Sequence, residues 1–364
     1  VLFSTDDHLE TFETELTNME TASAIPDWYE KILSSYIGPR IVLTIAASIY
    51  ATNFPLGAIM DDNLPPSAAT MGRMIVAALA LSPFLRLLEP QLRFPAILSG
   101  LFSGIAYVTQ SAALVNTNPA RVSFLGAATV LWVPVLEAFI DKRPMGLRQA
   151  PETWLAALLC FTGVGVLEFQ HQFGGGTMLL SVSSGDILAL VQAIGFGTSC
   201  FINNKVLRDH NDQALPLTAT LILTTAILSI FWSLADGWIV EPDFFHYTLP
   251  GMIVTPELHA VAGAVLWTGL ISTSFNYSLE LTALGRVPAS EAAVILASEP
   301  LWAALFGALL YHTGLSSSDA IGGLLIVAAC VVNATLKPAH FGCPPRHGKE
   351  EEVPLDEPQK EDIR

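Results

Sequence analysis

Six ionisable side chains interrupt stretches that are otherwise apolar: Arg73, Arg121, Glu137, Glu280, Glu291 and Glu299. Charge is costly in hydrocarbon, so such groups usually face a bundle interior or a water-filled path. Their chemistry there is binding or carrying charge. Arg121 and Glu291 lie 170 residues apart, each near the start of its apolar stretch. Opposite charges so related suit an ion pair, or a grip on the two ends of an amino-acid-like substrate. The plainer alternative is that each snorkels to water. Glu299 lies about eleven residues past Pro288 and next to Pro300. At ~1.5 Å per residue that depth is near the middle of a bilayer. A proline there frees a backbone carbonyl one turn back. Hydrocarbon favours a neutral acid, and a group that gains and loses a proton across a membrane needs that property. The structural alternative is a hydrogen-bonded acid at a helix kink.

Uncharged groups join the set. Asn53, Gln110, Gln192, Asn203, Asn276 and Asn333 are polar candidates within apolar runs. Tyr50, Tyr107, Tyr277, Trp132 and Trp302 offer flat walls with polar handles, as suits a mostly apolar pocket with few anchors. A packing role competes with a lining role for each. No nucleophile–base set, metal spacing or phosphate loop accompanies them, so neither a cofactor nor an enzyme activity is expected. Cys160, Cys200, Cys330 and Cys343 are too scattered for a zinc or disulfide framework.

The elements that must position these groups are membrane helices. Residues of the AVILMFWYC set make up 52% of the 364, and charged residues only 14%. Soluble domains carry about 25% charged residues. Ten apolar runs approach the ~20 residues needed to cross a bilayer. They span 41–60, 67–85, 94–114, 120–140, 153–169, 185–204, 217–235, 258–281, 288–311 and 320–336. Most are joined by short polar turns, so neighbours pack antiparallel. The loop 236–257 carries Trp238, Phe244, Phe245, His246 and Tyr247, types that suit a membrane interface. A substrate lid is the sharper use for it.

Basic residues set the orientation. With ten spans, 15 of the 17 Lys and Arg fall on the side of both termini, leaving Arg73 and Arg121 for the other. The positive-inside rule then makes both termini cytoplasmic, or stromal in a plastid. The formal net charge of −16 is concentrated in the tails, and no basic face exists for nucleic acid.

A 170-residue shift carries Tyr107 onto Tyr277, Ala113-Leu114 onto Ala283-Leu284 and Leu131-Trp132 onto Leu301-Trp302. Five spans per half is odd, so the second half enters the membrane from the opposite side. The expected fold is an all-α polytopic membrane protein of ten transmembrane helices in two inverted five-helix repeats. Its parts are an acidic tail (1–39), a first repeat (40–169), a linker (170–184) with three consecutive glycines, a second repeat (185–337) and a Pro- and Glu-rich tail (338–364).

Over residues 41–337 the chain resembles the drug/metabolite transporter superfamily in its EamA-like form. Tyr50-Ala51-Thr52-Asn53-Phe54 keeps the Asn-Phe half of that family's Trp-Gly-x-Asn-Phe motif. Arg73 matches the arginine of the second helix, and Ala113-Leu114 and Ala283-Leu284 match the ends of third helices. The most specific match is Glu299-Pro300-Leu301-Trp302-Ala303-Ala304-Leu305 in the ninth helix. The Gly-Glu-x-Leu turns of the family are absent after the fourth and ninth helices, which marks a divergent subgroup. No Lys or Arg lies between Arg286 and Lys337, unlike the phosphate-sugar translocators of the superfamily.

The resemblance implies a secondary transporter of a small organic metabolite working by alternating access, with protons as a coupling ion to test. A non-transporting scaffold or receptor-like subunit is the alternative. Membrane lipid is the expected surround. Small-residue faces such as Gly100-x-x-x-Gly104 suit close helix contact, of which a homodimer is one use.

Overall fold

In a computed structural model the described residues are 26–117, 119–142, 149–169, 183–311 and 317–335. Residues 1–25, most of the glycine-containing linker, the Pro- and Glu-rich tail and most of the turns after the fourth and ninth runs lie outside them. The described residues form helices connected by turns. Eight stretches are long and apolar enough to cross a membrane: Gly38–Asp61, Pro66–Leu87, Pro90–Asn116, Arg121–Phe139, Ser184–Asp209, Asn211–Asp236, Pro256–Leu284 and Ala289–Phe306. Two shorter apolar helices, Pro151–Leu167 and Asp319–Asn333, fall on the remaining expected runs.

Several crossings are not single helices. The first is α1 (Gly38–Ala51) followed by α2 (Asn53–Asp61), with Thr52 between them. After α3 (Pro66–Leu81) and α4 (Arg93–Asn116), the fourth is again split, into α5 (Pro119–Gly126) and α6 (Thr129–Phe139). Then come α7 (Pro151–Phe169), α8 (Ser184–Asp209) and α9 (Ala214–Asp236). The eighth crossing runs α10 (His259–Trp267), a π-helical stretch Thr268–Phe275, and α11 (Asn276–Leu284). The ninth is split into α12 (Ala289–Leu296) and α13 (Glu299–Tyr311), and α14 (Ser317–Thr335) ends the described chain.

The splits in the fourth and ninth crossings share one construction. Ala128, Val130 and Leu131 donate backbone N–H bonds three residues back, as do Ser298 and Leu301. Each tightened turn interrupts the i→i−4 ladder. The 170-residue offset carries Gly126 onto Leu296 and Thr129 onto Glu299, so the two breaks coincide. Pro300 therefore does not kink a continuous helix, as its position suggested. It occupies the first turn of α13, where its missing N–H has no intrahelical partner to lose.

Close helix contact uses glycine where side chains would collide. A Cβ on Gly163 of α7 would come within 2.8 Å of the Gly322 carbonyl, and one on Gly322 of α14 within 2.7 Å of the Gly163 carbonyl. A Cβ on Gly100 would approach the Leu221 carbonyl to 2.7 Å, so the Gly100–Gly104 face serves packing of α4 on α9 within the chain. In the aromatic loop, Trp238 is buried with Met60 and Leu64 rather than lying at an interface. Its ring meets Tyr247 edge-on at 5.8 Å, while Phe244 and Phe245 are exposed.

Ahead of the first crossing a short helix, Asp27–Leu33, presents two faces. Leu33 enters the main core, and Trp28 and Ile32 face outward.

Candidate functional site

A cavity of about 490 Å³ lies among the crossings. Ligand pockets of metabolite size span ~300–1,000 Å³. Each lining helix contributes a stripe at helical spacing. Pro66, Ala69, Thr70 and Arg73 come from α3, and Tyr107, Gln110, Ser111 and Leu114 from α4. The two broken crossings supply Gly126, Ala127 and Thr129 on one side, and Leu296, Ala297, Glu299 and Pro300 on the other. Asn53 and Tyr50 come from the split first crossing.

Polar contacts fix the lining. The Tyr50 hydroxyl donates to Glu280 Oε2 at 2.7 Å. The Arg73 guanidinium lies over the Tyr107 ring, 4.8 Å from its centroid, where a cation is attracted to the ring face. Tyr107 also meets Phe196 edge-on at 4.8 Å. Ser272, in the π-helical stretch, donates to Asn53 Oδ1 at 2.6 Å, and Trp267 Nε1 donates to Thr52 Oγ1 at 3.1 Å. The π-helical stretch is thus tied to the break in the first crossing. Gly126 makes room for Gln192, whose Nε2 would lie 2.9 Å from an added Cβ.

The lining runs from Ala58 and Asp61, which are exposed, inward to Glu280 and Glu299. Side-chain pairs bridge the helices at the other end. Arg40 Nε bonds Glu291 Oε1 at 2.6 Å, and Glu291 is 1% exposed. Arg286 makes two bonds to Glu30, at 3.0 and 2.8 Å. The Tyr29 hydroxyl meets Thr282 Oγ1 at 2.9 Å. Burial pushes the pKa of that phenol up, with Thr282 and Arg286 opposing, so Tyr29 stays neutral at ordinary pH.

Of the residues singled out from the sequence, Arg73, Asn53, Tyr50, Tyr107, Gln110, Gln192, Tyr277, Glu280 and Glu299 line the cavity. Arg121, Glu291, Trp132, Trp302 and Asn276 do not. Arg121 and Glu291 do not meet. Arg121 Nη2 bonds Asp186 Oδ2 at 2.7 Å, and Asp186 also accepts from Thr117. The reason is direction: α5 begins at the end of the bundle that carries Asp61, whereas α12 begins at the end that carries Arg40. The starts of α5 and α12 therefore lie at opposite ends of the bundle. Trp132 Nε1 donates to Thr198 on α8 at 3.0 Å. Trp302 packs beside Phe306. Asn276 Nδ2 donates to the Ala46 carbonyl at 3.0 Å and is fully buried.

Sequence reasoning gave too little weight to Glu280 and Asp61. Glu280 follows Tyr277 by three residues, one helical turn on the same face. That spacing was the available signal. Asp61 lies just past the expected run 41–60, where a charge marks no more than the end of a span.

A helical, multi-pass integral membrane protein with a cavity reaching its buried middle is the architecture of a membrane transporter. The chain belongs to the EamA-like transporter family, which matches residues 40–169 and 183–335, and so to the drug/metabolite transporter superfamily. It is 25% identical over 211 residues to the "Uncharacterized transporter YwfM" of Bacillus subtilis (strain 168). That match covers 56% of this chain and 62% of the relative, so the chain spans less than two thirds of it. An "Uncharacterized transporter" of Archaeoglobus fulgidus is 24% identical over 290 residues, 80% of this chain and 83% of that protein. A solved structure described only as "Crystal structure of protein" shares the fold, with a TM-score of 0.64 at 19% identity. It covers 83% of this chain and 98% of its own.

Proposed function

We propose that the chain is a secondary transporter that moves a small organic metabolite by alternating access. Ten helices act as two inverted five-helix repeats, 40–169 and 185–337, joined by the linker 170–184. The observation that carries this reading is the pair of helix breaks at one 170-residue offset, both opening onto one cavity. Discontinuous helices facing each other at mid-depth are a common way for inverted-repeat transporters to build a site. The family match falling once on each half supports the repeat. The two shorter apolar helices take the fifth and tenth crossings, and the 15 to 2 division of basic residues supports cytoplasmic or stromal termini.

In this reading the cavity is open at the Asp61 end. The Arg40–Glu291 and Arg286–Glu30 pairs close the other end and part when the cavity changes sides. Arg73, Asn53, Tyr107 and Tyr277 bind substrate. Glu299 binds substrate or carries the coupling proton. Arg121 and Glu291 act as end-pairing groups, Trp132 and Trp302 as packing for the broken crossings, and Asn276 ties α11 to α1.

The test is counterflow in proteoliposomes with Glu299→Gln, which keeps the side chain's shape and removes its charge change. Proton-driven accumulation should collapse; exchange of preloaded substrate that survives assigns Glu299 to coupling, and loss of both with normal protein abundance assigns it to substrate binding. Unchanged accumulation against a gradient would remove Glu299 from coupling. Wild-type protein that sustains no exchange of any metabolite would favour a scaffold or receptor-like role.

A further inference from the structure

The lining of the cavity bears on which substrate it takes, an inference that rests on the transporter reading. Three carboxylates face the cavity: Asp61 near its mouth, and Glu280 and Glu299 at depth. The lining holds one basic side chain among the described residues, Arg73. Fully ionised, that set leaves a formal charge of −2. The Arg73 guanidinium lies over the Tyr107 ring, and its Nε has no hydrogen-bond partner among the described residues. Glu280 is held by the Tyr50 hydroxyl. Glu299 makes no hydrogen bond or ion pair among the described residues, although it faces the space. Around these acids the walls are Tyr107, Tyr277, Phe196 and Leu296.

An anionic ligand would meet two deep carboxylates where the local dielectric is low and like charges repel strongly. A neutral ligand would leave the Glu299 carboxylate with no close counter-ion in the bundle, which is costly. An ammonium pairs with Glu299 and can lie against aromatic faces, which attract cations. We propose that the cavity binds a small organic cation, a protonated amine with an apolar or aromatic body, its ammonium seated between Glu299 and Glu280 and its body against Tyr107, Phe196 and Tyr277.

The experiment uses the full chain in lipid nanodiscs and four probes on one phenyl body. These are 2-phenylethylamine (cation), L-phenylalanine (zwitterion), 3-phenylpropanoate (anion) and 2-phenylethanol (neutral). Equilibrium binding to wild type should be saturable for the amine and at least tenfold weaker for the other three. Glu299→Gln should weaken the amine at least tenfold. The wild-type series stands alone if a variant fails to fold. No amine binding at millimolar concentration overturns the proposal, as does equal or tighter binding of the propanoate. Tighter binding of phenylalanine that is lost in Arg73→Gln also overturns it, making Arg73 a carboxylate anchor. Counterflow with whichever probe binds keeps the two readings apart. Amine binding without exchange sinks the transport reading alone, and exchange of the anion without amine binding sinks the cation proposal alone.

Discussion

At the scale of single residues, the same amino acid type does different work at different depths. Asp186 shows this best. It closes a capping box at the start of α8, accepting from the Ser183 backbone at 2.9 Å while its own N–H donates to Ser183 Oγ. It also holds Arg121 and Thr117. Removing Arg121 leaves Asp186 with its cap and with Thr117. Removing the Asp186 side chain takes away the carboxylate half of the box, leaving the backbone N–H of residue 186 on Ser183 Oγ, and leaves Arg121, 31% exposed, without this partner. A hydrogen bond to a charged group, such as the one from the Ser183 N–H, contributes about 1.5–3 kcal/mol. Asp186→Ala should therefore lower the unfolding temperature in detergent more than Arg121→Ala does; equal shifts would assign the effect to the ion pair alone. This is also where the sequence was least readable. Residue type and depth marked Arg73, Tyr107, Tyr277 and Glu299, which line the cavity, because a polar group in an apolar run has few other places to point. The same marks on Arg121 and Glu291 could not name partners. Asp186 and Arg40 lie near the ends of their helices, where nothing in the local pattern distinguishes an ion pair from a solvated charge.

At the scale of elements, the apolar runs fixed where helices lie, because ~20 residues of hydrocarbon-compatible sequence admit little else. The expected run 185–204 lies within Ser184–Asp209, and 258–281 within Pro256–Leu284. The interruptions inside the runs were not readable. Ala127-Ala128 and Ala297-Ser298 are ordinary residues for a continuous membrane helix. Their turns follow from packing around the cavity, not from propensity. The crossing of α7 and α14 offers a test at this scale. Gly163 and Gly322 each leave room for the other's backbone carbonyl, so an added methyl must push the helices apart. Gly322→Ala should cost about 1–3 kcal/mol, as overpacking of a tight contact does. Chemical unfolding in micelles would measure it, and an unchanged midpoint would show that the crossing can relax at no cost. Gly263, with open space around its Cβ position, is the control for a glycine-to-alanine change in a membrane helix.

At the scale of the whole molecule, the cavity mouth and the Arg40–Glu291 and Arg286–Glu30 pairs occupy opposite ends of one bundle. In the proposed alternating-access cycle, that asymmetry is one state. The helix Asp27–Leu33 belongs to the closed end through Glu30–Arg286, Tyr29–Thr282 and the buried Leu33. If access alternates, these contacts must separate for the cavity to open on that side, while the Asp61 end closes. A tether across them should stop the cycle without blocking the site. In a background freed of native cysteines, Glu30→Cys with Arg286→Cys can be joined by a short reducible crosslinker. The joined protein should still bind 2-phenylethylamine from the Asp61 side if the cation proposal is right, but its counterflow should fall at least tenfold and return on reduction. Each single cysteine treated alike controls for loss of the Glu30–Arg286 pair itself. Counterflow that persists in the fully joined protein would mean that the Asp27–Leu33 helix rides with the second half of the chain throughout. The moving contact would then have to be Arg40–Glu291, where the buried carboxylate and its guanidinium bridge α1 and α12.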